Sequence, residues 1–502
     1  MELFEHLGLG FGVAFLPLNL FYCFIGVLLG TVVGVLPGLG PLATIAMLLP
    51  LTFGLDPVQS LIMLAGIYYG SQYGGSTTAI LVNLPGESAS AVTTIDGYQM
   101  ALKGRAGPAL AAAALGSFFA GTVATVLVAL VARPLTSIAL SFGPAEYFSL
   151  MVVGLISSIA LASGSLLKAL AMICFGLLVG LTGTDIYTGA PRFTFGQFEL
   201  LDGISFVALA VGIYGIGEIL RNLEGKEGSA PVIAKVKSLW PSVDDLKRMI
   251  APAVRGTAIG SLLGVLPGGG ALLSSFVAYN LEKKTSKNSA EFGKGAIEGV
   301  TAPEAANNAG AQTSFVPMLA LGIPSNVVMA LMIGAMIMQG IQPGPNVVVS
   351  NPEIFWGLIA SMWIGNAMLV VLNLPLIGLW VSLLRVPYWI MFPAIIAFSC
   401  IGVYSVSNSA FAVYTVTIAG VIGYFLIKLD CEPAPFVLGF VLGPMLEEHL
   451  RRAMLISGGD LSIFVTRPIS AALLIVAVAV LFVVSRPNIA KRRQEVFVEE
   501  ES

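Results

Sequence analysis

Two stretches of this chain hold polar groups that an otherwise very apolar sequence does not need for packing. The first covers 70–104 and reads GSQYGGSTTAILVNLPGESASAVTTIDGYQMALKG. It offers Ser76, Thr77, Thr78, Asn83 and Ser88. It also offers backbone groups freed at Pro85 and Gly86, because Pro removes a helical donor and Gly relaxes the backbone. The second covers 302–326 and offers Asn307, Asn308, Gln312, Thr313, Ser314, Ser325 and Asn326 around Pro324. Helices starting just after each break, at Ser88 and Ser325, would aim N–H groups and positive dipole ends at an anion. Freed carbonyls and Asn or Thr oxygens suit Na+, a hard cation. One geometry could therefore hold a carboxylate and a coupling cation, and no Lys or Arg lies at either break. Taken singly, each Ser or Thr is better explained as a helix cap or an interhelical hydrogen bond; the clustering carries the reading. Glu87 and Asp96 are either proton or Na+ ligands or water-facing groups at a hairpin end. Glu298 and Glu304 are expected to be solvated helix-end residues, and Lys168 is expected to snorkel.

The elements that must position these groups follow from their length. Helical pieces over 76–84 and 88–102 are too short to span a bilayer singly, which takes about 20 residues. They predict a re-entrant hairpin over 76–102, its tip Asn83-Leu84-Pro85-Gly86-Glu87-Ser88 at membrane depth, and a second hairpin over 313–341. Non-helical backbone at that depth is tolerated where it is buried in protein or lines a wet cavity. The alternative is a polar loop between two short peripheral helices. Composition sets the class: 56% of residues are hydrophobic and 11% charged, against about 25% charged in soluble domains. The expected fold is an all-α polytopic membrane protein with about 10–13 membrane elements. Net charge is −3 and says little about partners. Cys23, Cys174, Cys400 and Cys431 lack CxxC spacing and read as packing residues. His6 and His449 stand far apart, so no metal ligand set, and no metal site, is expected. No P-loop or H-E-x-x-H motif is present, which argues against an ATP-driven pump and against an enzyme. No basic n-region precedes the first apolar stretch, so no cleaved signal peptide is expected.

In order, 1–15 reads as an interfacial arm and 16–220 as a first transmembrane unit. A basic linker follows at 221–255, then a second transmembrane unit at 256–485 and a basic tail at 486–502. Spans are expected at 16–36, 109–132, 134–162, 166–181, 204–220, 356–384, 389–406, 411–428 and 469–484, with a charged surface loop at 446–452. Basic segments stay in the cytoplasm, which places the linker and the tail there. The second unit repeats the first. GTVVGVLPGLG, with Pro37 and Gly38, matches GSLLGVLPGGG, with Pro267 and Gly268, at an offset of 230 residues. The two Pro-centred tips also correspond. The basic linker before the second unit, and the absence of basic residues before the first, fit inverted topology. Duplicated broken helices in corresponding places point to a transporter site at the repeat interface. Tight packing kinks would explain one such copy but explain two less well.

The segments VLPGLGPLATIAMLLPLTFGL, YYGSQYGGSTTAILVNLPGE with DGYQMALKGRAGPAL, and APEAANNAGAQTSFVPMLALGIPSN closely resemble the large membrane subunit of the tripartite tricarboxylate transporters, the TctA family. The resemblance covers nearly the whole chain. It implies uptake of citrate-like carboxylates across the bacterial inner membrane, driven by an ion gradient (Na+ or H+). It implies two partners, a periplasmic substrate-binding protein and a small four-helix membrane subunit, and an elevator-like motion by analogy with broadly similar carriers. A gated anion channel on the same hairpins is the rival reading, and an assembly subunit without its own site is a third.

Overall fold

The computed structural model describes residues 2–36, 40–161, 165–185, 187–224, 236, 238–266, 270–384 and 388–484. The breaks at Pro37, Gly38, Pro267 and Gly268 lie outside the described residues, as do Lys226, Lys235 and Lys237 of the linker and the tail at 486–502. The described chain is almost wholly helical, and its strands form one two-residue antiparallel pair, Gly183–Thr184 with Pro191–Arg192. Among the described residues, five helices are long and apolar enough to cross a membrane: Pro17–Gly34, Ala106–Ala139, Phe206–Glu224, Pro352–Asn373 and Ala410–Lys428. Shorter apolar helices accompany them, and the fold is that of an all-α polytopic membrane protein.

The chain forms two compact units. The first comprises Met1–Thr136 and Arg221–Ser399, the second Ser137–Leu220 and Cys400–Ser502. Each unit therefore draws on both halves of the sequence.

The first unit is built on two close helix pairs. Helix Pro17–Gly34 places Gly26, Gly30 and Gly34 over the backbones of Met63, Ile67 and Ser71 in helix Pro57–Val82. Helix Val243–Val265 places Gly256, Gly260 and Gly264 over Ala302, Ala306 and Gly310 in helix Glu298–Thr313. A Cβ at any of these six glycines would collide with a backbone carbonyl, so the close approach requires glycine. Each partner helix is enclosed as a result. Every residue from Ser60 to Val82 and from Glu298 to Thr313 is buried.

The first hairpin arm is longer than its sequence suggests. It begins at Pro57, capped by Asp56, and runs unbroken for 26 residues to Val82, about 39 Å at 1.5 Å per residue. The glycines that could have interrupted it, Gly66, Gly70 and Gly74, pack instead against helix Pro17–Gly34. The arm after the tip, Ala91–Leu102, has only 12 residues. In the second hairpin, Glu298–Thr313 and Phe315–Leu321 precede the tip and Val327–Met338 follows it. Both short arms close alike. Gly104 and Gly340 take φ of 76° and 72°. Arg105 N–H then donates to Met100 O, and Ile341 N–H to Met336 O, each at 2.8 Å, the hydrogen bond that ends a helix in a left-handed residue.

In the second unit, helix Leu166–Gly180 packs on helix Pro433–Ile456 through Gly176, Gly180 and Gly439. The charged segment at 446–452 is no surface loop; the helix continues through it to Ile456. Pairs at i,i+4, Glu447–Arg451 and Glu448–Arg452, each 2.6 Å, support those turns. Similarly, Pro134 does not open a new span, because helix Ala106–Ala139 runs through it and the break falls before Pro144. In the connection at 181–205, the N–H of Thr188 holds the Asp185 carboxyl down to about 2. Tyr187 N–H and Arg451 assist it, at 2.8 Å each.

Candidate functional site

The two tips lie in the first unit and have the same backbone. Each buried helix ends in a left-handed residue, Asn83 with φ of 59° and Gly322 with φ of 73°. Asn is among the few non-glycine residues that take this conformation readily. Pro85 and Pro324 follow two residues later. An extended residue then caps the next helix: Glu87 (φ −148°) or Asn326 (φ −151°). Just before each cap the tip ties back to its own helix. Gly86 N–H donates to Gly75 O at 3.4 Å, and Ser325 Oγ donates to Ser314 O at 3.3 Å. The first described residue after each Pro-Gly break, Gly40 or Gly270, lies beside its own tip.

The caps differ in kind. The Glu87 carboxylate accepts from the Ser90 N–H, and a 3-10 turn at Ser88–Ser90 precedes helix Ala91–Leu102. One of the N–H groups expected to face a ligand after Ser88, that of Ser90, is thus met by the chain's own acid. At the second tip the helix starts at Val327, two residues later than expected. Its cap is neutral, Asn326 Oδ1 accepting from Met329 N–H at 3.0 Å.

The two buried helices meet each other and the elements around them through side chains 191 to 293 residues apart. Ser76 Oγ lies 2.7 Å from Glu304 Oε2, and Thr93 Oγ1 lies 2.5 Å from Glu304 Oε1. Asn307 Nδ2 donates to Glu87 Oε1 at 2.7 Å, and Asn308 Nδ2 donates to Ser117 Oγ at 2.6 Å. Tyr73 donates to Asn366 Oδ1 at 2.9 Å. Tyr68 faces Gln72, Ser314 and Asn326, and Phe315 packs on Tyr68 and Tyr69. Glu304, Ser76, Thr77, Tyr73 and Ser117 line a cleft with room for about one water. Gln72 is 1% exposed, yet neither of its amide atoms has a partner, and Asn307 Oδ1 has none. An unpartnered buried amide atom is costly.

Glu298 and Glu304 are not solvated. Glu298 is buried and held by both guanidinium arms of Arg248, at 2.8 and 2.7 Å. Glu304 is 1% exposed, because the glycine stripe of Val243–Val265 closes over its helix. Asp96 is buried too, and its role is structural. It accepts from Tyr279 Oη at 2.9 Å and from the N–H groups of Gly295 and Ala296 at 2.7 and 2.9 Å, tying down the approach to helix Glu298–Thr313.

The site residues expected from sequence divide into groups. Ser76, Asn307 and Asn308 join the network just described, as do the tip residues Gly86, Ser325 and Asn326. The hydroxyls of Thr77, Thr78, Thr313 and Ser314 bond carbonyls of their own helices. Pro324 is buried within its tip, whereas Asn83, Pro85 and Ser88 are exposed. Glu304, Gln72 and Tyr68 were missed. A signal for Glu304 was present: residues 304, 307 and 308 share one helical face at i, i+3 and i+4. Among the described residues no Lys or Arg is buried, and no group of three or more His, Cys, Asp or Glu could hold a metal ion.

Comparison with known proteins follows the same lines. A family model described as the tripartite tricarboxylate transporter TctA family matches residues 20–438. A protein of Agrobacterium vitis, described as an uncharacterized 52.8 kDa protein in the TAR-I ttuC' 3' region, is 62% identical over 501 residues, covering 100% of both chains. Another from that organism, described as an uncharacterized protein in the TAR-II ttuC' 3' region, is 61% identical over 242 residues, 48% of this chain and 100% of the relative. No solved structure matches.

Proposed function

Because the chain belongs to the tripartite tricarboxylate transporter TctA family, we propose that it is the large membrane subunit of a secondary carrier importing citrate-like tri- or dicarboxylates. In this reading a Na+ or H+ gradient drives uptake across the bacterial inner membrane. A periplasmic binding protein delivers the substrate and a small four-helix subunit completes the carrier. The halves act as inverted repeats, with the linker and the tail cytoplasmic, and the hairpin-bearing region moves elevator-like.

The observation that carries the reading is the buried meeting of two polar helices where Gln72 and Asn307 keep unpartnered amide atoms. It divides the labour between the tips. The substrate carboxylate goes to the second tip, where Asn326, Ser325 and the start of the 12-residue helix Val327–Met338 supply neutral donors and a positive dipole end. Tyr68 faces that place. The coupling cation goes to the acidic side, where Glu87, Asn307 and Glu304 gather. No buried cation competes with it among the described residues.

The test is uptake of labelled citrate and other di- and tricarboxylates into proteoliposomes holding this chain and its small partner, with and without the binding protein. Concentrative uptake that needs both the binding protein and an imposed cation gradient is expected. Downhill flux that ignores both would replace the carrier with a channel.

A further inference from the structure

Glu304 stands in the middle of a wholly buried helix with no cation to compensate it among the described residues. The charged and titratable groups on the elements packed around it are engaged elsewhere. Helix Val243–Val265 brings Arg248, bound to Glu291 and Glu298, and Arg255, bound to Glu282 of helix Gly270–Thr285. The latter helix also brings Tyr279, held by Asp96 of helix Ala91–Leu102. The first tip brings Glu87, bonded to Asn307. Helix Pro57–Val82 brings Tyr73, which donates to Asn366. Helix Ala106–Ala139 brings Ser117, an uncharged group, to the same wall. What meets the Glu304 carboxyl itself is hydroxyls: Ser76 and Thr93 donate to its two oxygens, and Ser117 stands beside them.

An ionisable group this deep in a membrane protein is costly unless it works. Here the hydroxyls can serve both of its charge states. With Glu304 ionised, Ser76 and Thr93 each donate to one carboxylate oxygen. With Glu304 protonated, its O–H donates to Ser76 Oγ, and Ser76 turns its own proton to the Gln72 carbonyl, 3.0 Å away. A hydroxyl rotates to suit its partners, so either state is bonded without moving the backbone. Ser76 lies before the first tip and Thr93 after it, so both donors belong to the first hairpin. The cleft that Glu304 lines gives water a place beside the carboxyl. The unpartnered amide of Gln72 lies one helical turn before Ser76, and Asn307, whose Oδ1 is unpartnered, lies one turn after Glu304.

We propose that Glu304 is the proton-carrying coupling residue, with Ser76 and Thr93 as its positioning residues. Resting on the carrier reading above, it makes H+ the coupling cation. On the uptake side hydronium gives its proton to the Glu304 carboxylate, leaving water and forming the O–H bond; on the release side that bond breaks to water, giving hydronium, so one proton crosses with each neutral passage. The experiment uses the whole carrier in proteoliposomes, with labelled citrate or the first di- or tricarboxylate that gives counterflow, and a trapped pH dye. Wild-type uptake acidifies the lumen, and a pH gradient alone drives accumulation. In Glu304→Gln, whatever uptake remains brings no acidification and ignores the pH gradient. If that variant does not insert, Ser76→Ala decides. Ser76→Ala removes a bond from each charge state, but the bond to the carboxylate is charge-assisted and about twice as strong, so the pH midpoint of transport moves upward. Wild-type accumulation that responds to a Na+ gradient but not to a pH gradient overturns the proposal. So does acidification by Glu304→Gln, or an unmoved midpoint in Ser76→Ala. Wild-type liposomes with no counterflow for any carboxylate would sink the carrier reading instead.

Discussion

At 83–87 the chain turns through Asn83, Pro85, Gly86 and Glu87; at 322–326 it turns through Gly322, Pro324, Ser325 and Asn326. The first position is left-handed in both, the last is an extended helix cap in both, and each tip ties back to its own helix eleven residues upstream. The difference lies in what the shared backbone carries. One cap is a buried carboxylate bonded to Asn307, the other a neutral amide near Tyr68. The first tip exposes Asn83, Leu84 and Pro85, whereas residues 322–325 are buried. Backbone geometry constrains the left-handed and Pro positions, because few residues adopt those angles. The cap position asks only for a side-chain oxygen, so acid and amide serve equally as structure while differing by a full charge as chemistry.

Making the two tips alike should have the largest effect. Asn326→Asp keeps a good cap but sets a second negative charge where the carboxylate is proposed to bind. Like charges brought together cost several kcal/mol, so carboxylate uptake should fall about 100-fold or more at unchanged membrane abundance. Uptake kinetics like wild type would break the division between tips.

Neutralising the first tip comes next. Glu87→Gln keeps an oxygen for the Ser90 N–H and for Asn307 but removes the charge. Gradient-driven accumulation is expected to drop about tenfold, roughly 1.4 kcal/mol, while half-saturation for the carboxylate stays near wild type. An increase in half-saturation with unchanged accumulation would assign Glu87 to the substrate.

The tie-back positions should differ less. A Cβ at Gly86 would sit against Gly75 Cα, 2.6 Å from Gly34 O and 2.9 Å from Thr78 Oγ1. Gly86→Ala should therefore cost about 1–3 kcal/mol of stability. Ser325→Ala loses one hydrogen bond to Ser314 O, about 1 kcal/mol. Thermal unfolding of the purified chain in detergent ranks the two, and the reverse order would mean that the second tip is the tighter one.

The smallest effect belongs to Asn83→Gly. Asn83→Gly should be nearly neutral, and Asn83→Ala should cost about 1–2 kcal/mol for a left-handed Ala, with unchanged carboxylate half-saturation in both. Weakened uptake in Asn83→Gly would show that the amide touches substrate, the role its sequence position suggested.

Much was legible in the sequence by itself. The scarcity of charge determined a membrane protein. Pro85 and Pro324, each close to a Gly and to polar residues, marked two interruptions; a Pro alone does not, since helix Ala106–Ala139 runs through Pro134. The matching VLPG segments are a repeat in the sequence, and their Pro-Gly breaks lie outside the described residues. Tertiary structure decided the chemistry of the site. The segment at 298–313, EGVTAPEAANNAGAQT, is polar enough to read as solvated. It is buried because Gly256, Gly260 and Gly264, some 45 residues earlier, let another backbone close over it. Likewise Ser76 reads alone as a hydroxyl spent on its own helix, as Thr77 and Thr78 are. Its bond to Glu304, 228 residues away, exists because two helices meet there. Local composition determines whether a side chain can donate or accept a hydrogen bond. Burial and partnership belong to pairs of distant elements, so only the folded chain could set two acids against neutral donors in its interior.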